Sequence, residues 1–333
     1  MSAPSVSIII PAWNADRTLG RCLSAIQGST VPVHEIIVVD DGSTDGSADL
    51  ARAFHARVFE GIGHRGPAAA RNFGARMASG DILLFLDSDV CVHADTIERL
   101  IANFETDPAL DGVIGSYDSE PAAPNFLSQY KNLQHCYVHQ NGHRRASTFW
   151  TGCGAVRREF FLTTDGFDTD WKRPSIEDIE FGSRVIRAGA RICLDPALQV
   201  SHLKRWELRN LLRTEIFDRA IPWTMLILRD GRMPDDLNTQ TLQRISVSLV
   251  CLVPLLVLFS RLAAALAICL AVILNVPFYR FLARRRGLLF SLRAIPMHLL
   301  YFLYSGAGLA AGSMMYAFRR QRAHKRRVAA SAP

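Results

Sequence analysis

Asp87-Ser88-Asp89 closes the apolar run Asp81-Ile-Leu-Leu-Phe-Leu86. That run reads as a buried strand. Two carboxylates two residues apart at its end can both lean into a cleft where the ladder stops. Such a pair suits a hard divalent cation, and the cation suits a diphosphate. A second acidic pair, Glu177-Asp178, opens the helical pattern Ile176 to Gly189, where a helix N-terminus favours negative charge. Taken singly, both pairs also fit ordinary turn and first-turn positions, so the elements around them decide what they are for.

Residues 5–10 read as a first strand, followed by the turn Pro11-Ala-Trp-Asn14 and a helix from Asp16 to Gln27 with Leu19, Cys22, Leu23 and Ile26 on one face. Ile36 to Val39 is a second strand, and Asp40-Asp-Gly-Ser-Thr-Asp-Gly46 a turn in which Asp40, Asp41 and Asp45 are natural turn formers. Arg57 to Phe59, then Asp81 to Leu86, continue the strands; Pro67 to Ser79 and Thr96 to Glu105 are the intervening helices. Asn132 to His139 is a possible helix, Thr151 to Arg157 a strand, and Arg191 to Leu194 and Leu198 to Val200 two short strands. The alternation predicts an α/β fold, a parallel sheet with helices on both faces. Ligands in such sheets sit beyond the carboxyl ends of the strands. Asn14, Asp40, Asp41, Asp87 and Asp89 all fall there.

Charge divides the chain. Of a net +7, 13 positive charges lie beyond Asp236 without a single acid, leaving −6 on the residues before it. The back part is apolar runs punctuated by arginine, which is membrane composition. Ile245 to Ser260 and Leu262 to Phe281 read as a helical hairpin, with Arg261 at its far side. The arginines from Arg280 to Arg286 return it to the cytoplasmic side, and Ile295 to Phe318 is a third candidate crossing. Three crossings conflict with the basic tail from Arg319, so their number stays open. Trp206 to Leu228 is amphipathic, either a core helix or one lying in the membrane interface. Strand-like Val6 to Ile10 follows the N-terminus directly, without a signal peptide, so the front part is expected to be cytoplasmic, while the apolar back part makes an integral, multi-pass membrane protein the expectation. Seven scattered cysteines without Cys-x-x-Cys point to reduced thiols rather than disulfides or zinc.

Seven segments, in order, resemble the family 2 glycosyltransferases of GT-A fold. They are Ser7-Ile-Ile-Ile-Pro-Ala-Trp-Asn14, Val38-Val-Asp-Asp-Gly-Ser-Thr-Asp45, Gly66-Pro-Ala-Ala-Ala-Arg-Asn72, Phe85-Leu-Asp-Ser-Asp89, Thr151-Gly-Cys-Gly154, Glu177-Asp178 and His202-Leu-Lys-Arg-Trp206. The resemblance implies a GT-A domain over 1–205, interfacial linker helices over 206–236 and a helical membrane region over 237–333. It implies a nucleotide-sugar donor, a UDP-sugar in the first place with GDP left open, held by Pro11, Trp13, Asp41, Arg71, Asp87, Arg205 and Trp206. It implies Mg²⁺ or Mn²⁺ on Asp87 and Asp89, with His202 as a third ligand. Asp178 would be the general base of an inverting displacement, with Glu177 the runner-up.

His202 stands where the family's processive members carry Gln, which speaks against chain polymerisation. Single-sugar transfer to a lipid or lipid-linked acceptor on the cytoplasmic face is therefore expected, with a polyprenyl-phosphate acceptor as the alternative. A more remote alternative is a nicotinamide-dependent Rossmann enzyme using Gly61-Ile-Gly-His-Arg-Gly66, which matches a dinucleotide fingerprint but does not open the first strand–turn–helix unit. His135, His139 and His143 are spaced by four, but Asn141-Gly142 would break the helix before the third. No nucleic-acid partner is expected.

Overall fold

The apolar runs form the middle of one eight-stranded sheet. The computed structural model describes residues 3–61 and 63–330, with side chains as far as residue 322. It divides into two units, Met1–Trp206 and Glu207–Pro333.

In the first unit the elements run β1 (Val6–Ala12), α1 (Asp16–Gln27), β2 (Glu35–Asp40), α2 (Ser47–Ala53), β3 (Arg57–Phe59), α3 (Pro67–Met77), β4 (Ile82–Phe85), β5 (Val90–Val92), α4 (Thr96–Thr106), β6 (Gly112–Tyr117), α5 (Phe126–Gln140), β7 (Gly154–Arg157), α6 (Arg158–Thr163), α7 (Glu177–Arg187) and β8 (Ile192–His202). The strand order is β3-β2-β1-β4-β7-β6-β8-β5. β1 pairs parallel with β2 and β4, and β2 with β3. β7 is antiparallel to both β4 and β6, and β5 to β8, so the sheet is mixed. Ile8, Ile9, Ile10, Leu83, Leu84 and Phe85 are wholly buried, as central strands covered on both faces must be.

The two short strands expected near residues 191–200 are one, β8, which pairs parallel with β6 through a register shift between Ile114 and Ser116. The shift lets one long strand carry both apolar stretches. The helix expected from Asn132 starts earlier, at Phe126, because its first two turns bury Ser128 and Tyr130. His135 and His139 lie on it, and His143 lies beyond its end.

The second unit contains α8 (Leu208–Arg213), a π-helical stretch Thr214–Ala220, α9 (Ile221–Asp230), a 3-10 turn Leu237–Thr239, α10 (Thr241–Phe259), α11 (Arg261–Leu274), α12 (Val276–Arg286) and α13 (Leu288–Ala330). Leu208 and Phe217 are exposed, whereas Leu211 is buried. The π-helical stretch widens the turn and changes which side chains share a face.

Among the described residues, Thr241–Phe259 and Leu288–Arg322 are long and apolar enough to cross a membrane. The crossing expected from Leu262 to Phe281 is instead broken, α11 and α12 being bent by 59°. Pro277, inside the first turn of α12, lacks the N–H that would continue the helix, and Asn275 fills the break by donating Nδ2 to Ser246 Oγ at 2.9 Å and to the Ala271 carbonyl at 2.8 Å.

Candidate functional site

Three loops meet at the carboxyl ends of β1, β2 and β3. Asn14, held at φ 49°, donates its backbone N–H to Ser43 Oγ and accepts from the Thr44 N–H through Oδ1 at 2.8 Å. Asp40 accepts the Ser43 N–H, so it closes its own turn. Asp41 is buried, and its two carboxylate oxygens accept the N–H groups of Arg65 and Gly66, each at 2.8 Å. It therefore fixes the loop that opens α3. Pro11 is half-buried at the end of β1. Trp13 is 54% exposed, with its ring against His64 at 4.6 Å. His64 thus lies between the exposed Trp13 ring and Asp41, with its Nδ1 3.3 Å from Asp41 Oδ2. The Gly61–Gly66 stretch lies between β3 and α3, and the Gly66 amide is spent on Asp41 rather than free for a phosphate.

α3 carries Arg71 into the interior of the first unit. Its side chain is 4% exposed; Nη2 donates to Asp87 Oδ1 at 2.6 Å and Nη1 to Glu177 Oε1 at 2.9 Å. Nε has no partner. Burial works against the guanidinium charge, but Asp87, Glu177 and Asp178 hold it firmly protonated. Glu177 is buried and also accepts the Ser175 N–H at 2.9 Å. Asp178, next along α7, accepts the Thr151 N–H at 3.2 Å through Oδ2 and the Ile179 N–H at 2.8 Å through Oδ1. Burial and the neighbouring Glu177 charge push its carboxyl up to about 6, against the opposing pull of Arg71.

Asp89 faces a different partner. His202 Nε2 lies 3.4 Å from Asp89 Oδ2, and His202 Nδ1 is hydrogen-bonded to Asn132 Oδ1 at 2.8 Å. With Nδ1 as the donor, Nε2 presents a lone pair on the Asp89 side. Tyr117 stacks on the imidazole at 4.5 Å and 9°. Asp89 and His202 are thus a carboxylate–imidazole pair of the right chemistry for a divalent cation, whereas Asp87 is engaged by Arg71. Among the described residues no three His, Cys, Asp or Glu side chains converge as a ready-made metal cage.

The remaining two residues of the expected donor set are unlike the rest. Arg205 is exposed. Trp206 is only 2% exposed, with its backbone N–H on Ser128 Oγ and Lys204 Nζ 4.2 Å from its ring centroid, so no indole face is open to a sugar. Two asparagines support the site without a motif of their own. Asn72 adjoins Arg71 within a quoted segment, and this adjacency was its only signal. Asn132 meets His202 across 70 residues and gave none.

The model of "Glycosyl transferase family 2" matches residues 7–163, which span β1 to α6. These residues are a family 2 glycosyltransferase domain. The chain is 39% identical over 141 residues to glycosyltransferase AglE of Haloferax volcanii, a match covering 39% of this chain and 46% of that protein. It is 32% identical over 232 residues to the pre-mycofactocin glycosyltransferase of Mycobacterium tuberculosis, covering 65% of this chain and 47% of that one. The chain thus spans about half the length of these curated relatives. The fold is GT-A. The mannosyltransferase PcManGT from Pyrobaculum calidifontis, solved with GDP-Man and Mn²⁺, superposes with a TM-score of 0.61 at 19% identity, covering 96% of this chain and 88% of that one. GalNAc-T7, solved with UDP, GalNAc and Mn²⁺, gives 0.51 at 18% identity, covering 68% of this chain and 48% of that one.

Proposed function

We propose that the protein transfers one sugar, with inversion, from a nucleotide sugar to a lipid or lipid-linked acceptor at the cytoplasmic membrane face. The observation that carries this reading is Asp178. A half-buried carboxyl, raised to about 6 at a helix start and anchored by the Thr151 amide, is poised to take a proton near neutral pH. In this reading Trp13, Pro11 and Asp41 hold the nucleotide base, and Asp87 and Asp89 face the diphosphate.

A divalent ion, Mg²⁺ or Mn²⁺, would be held by Asp89 and His202, with Asp87 as a further carboxylate. When bound, it supplies neutralisation of the charge that develops on the departing nucleotide diphosphate. Asp178 removes the acceptor hydroxyl's proton as that oxygen forms its bond to the anomeric carbon. The bond to the diphosphate oxygen breaks on the opposite face, so one displacement inverts the configuration. Arg205 is exposed, whereas Trp206 packs and does not stack on substrate. The acid-free helices α10 to α13 support the lipid acceptor and the membrane location.

A UDP-sugar is the first donor to test and a GDP-sugar the second. The experiment is nucleoside-diphosphate release from a panel of nucleotide sugars by membranes containing the protein, with the lipid extract read by mass spectrometry. A sugar-bearing lipid supports the reading, and release without a lipid product removes the lipid acceptor from it. A polyprenyl-phosphate acceptor is already ionised and needs no base, so Asp178→Asn with an unchanged rate would favour it.

A further inference from the structure

We propose that Arg71 is a positioning residue: its two Nη groups tie the donor-side carboxylate Asp87 to the acceptor-side pair Glu177–Asp178, so that one guanidinium balances three acids and holds the two sides of the cleft in register. The proposal rests on the reading of Asp178 as the base.

The geometry carries it. The two hydrogen bonds, at 2.6 and 2.9 Å, run from one side chain to acids 90 residues apart in sequence, Asp87 after β4 and Glu177 at the start of α7. Arg71 and Glu177 meet where water is largely excluded, at 4% and 5% exposure, while Asp87 keeps 35% of its side chain exposed. A bidentate, always-charged fork suits this task and an ammonium does not, because lysine cannot reach two carboxylates in fixed planar geometry. Neighbouring bonds make the strut rigid. Asn72 donates Nδ2 to the Phe167 carbonyl at 2.7 Å and accepts the Phe167 N–H at 2.9 Å, which pins the segment entering α7 to the same helix that carries Arg71.

The charged groups facing Asp178 are Glu177 on its own helix and Arg71 from α3; the turn before β7 contributes only the Thr151 amide and hydroxyl. Glu177 pushes the Asp178 carboxyl up and Arg71 pulls it down. Removing either charge must therefore move the Asp178 titration in opposite directions. A side chain that merely fills space, or touches only the nucleotide, gives no such pair of opposite effects.

The test uses the full chain in detergent. The pH dependence of turnover is measured for wild type, Arg71→Met, Glu177→Gln, the double variant and Arg71→Lys. Arg71→Met should move the acid limb up by about one pH unit, a tenfold change in proton affinity, and Glu177→Gln should move it down. The double variant removes both opposing charges from beside Asp178 and should return the limb close to wild type. Arg71→Lys should restore the limb's position while leaving kcat at least about tenfold low.

Opposite shifts support the strut. An unmoved limb with only the donor KM raised overturns it, as does a shift of the same sign in both variants. A second readout does not depend on turnover: the pH dependence of thermal unfolding, each protein compared with its Asp178→Asn counterpart, reports the same titration. If wild type turns over no nucleotide sugar yet these unfolding profiles shift oppositely, the strut stands and the proposed function falls.

Discussion

Asp178 shows how one carboxyl is prepared by its surroundings. Its N–H contacts favour the charged form, while burial and Glu177 oppose it, and the outcome is a group that titrates near 6. As the proposed base it must be ionised, so turnover should fall about tenfold per unit below pH 6 and level off above it, measurable in a pH–rate profile. Asp178→Asn should lower kcat by at least ~10²-fold, with the donor KM little changed. The same shift has a stability sign. A carboxyl raised above its unfolded value of about 3.9 holds its proton more tightly when folded. Its contribution is therefore fully present below about 4 and is lost as pH rises through 6, and Asp178→Asn should unfold at a higher temperature than wild type at pH 7. Residue types and order were legible here: both acidic pairs, Trp13 and Asp41 could be picked from the chain alone. Their partners could not, because Arg71 to Glu177 spans 106 residues and no local pattern records it.

Elements place these residues through a few close approaches. Gly66, at φ 93°, meets the Lys172 backbone so tightly that a Cβ would lie 2.5 Å from its carbonyl oxygen. Gly166, at φ 64°, would clash likewise with Asn72. The loop before α7 is thus seated on α3 at two points, and Arg184 of α7 also donates to the Gly166 carbonyl. Asn72→Ala removes two buried hydrogen bonds at once, leaving the Phe167 amide and carbonyl unpaired. It should cost about 2–4 kcal/mol in a denaturant titration and lower kcat through a loosened Glu177–Asp178 helix. The strands and helices of the first half were legible because their apolar periods are unbroken. β8 looks like two strands from sequence because Asp195 and Pro196 interrupt its apolar run, although the strand continues through them. The antiparallel insertion of β7 between β4 and β6 leaves no trace in composition, since a buried strand reads alike in either direction.

At the scale of the whole molecule, charge partition was the legible feature, an acidic front and an acid-free back. The break between α11 and α12 shows why crossings were not countable from hydropathy: Pro277 and Asn275 sit inside an otherwise apolar stretch. The membrane reading expects the protein to stay in the pellet through alkaline carbonate washing and to require detergent for release. The chemistry is tested most directly by nucleoside-diphosphate release from nucleotide sugars by the full chain, wild type against Asp89→Ala, with Mn²⁺ or Mg²⁺ supplied and then removed by chelator. The account predicts release by wild type that stops on chelation and returns with metal, and a loss of at least about 10²-fold in Asp89→Ala. Full release from Asp89→Ala in the presence of chelator would contradict it.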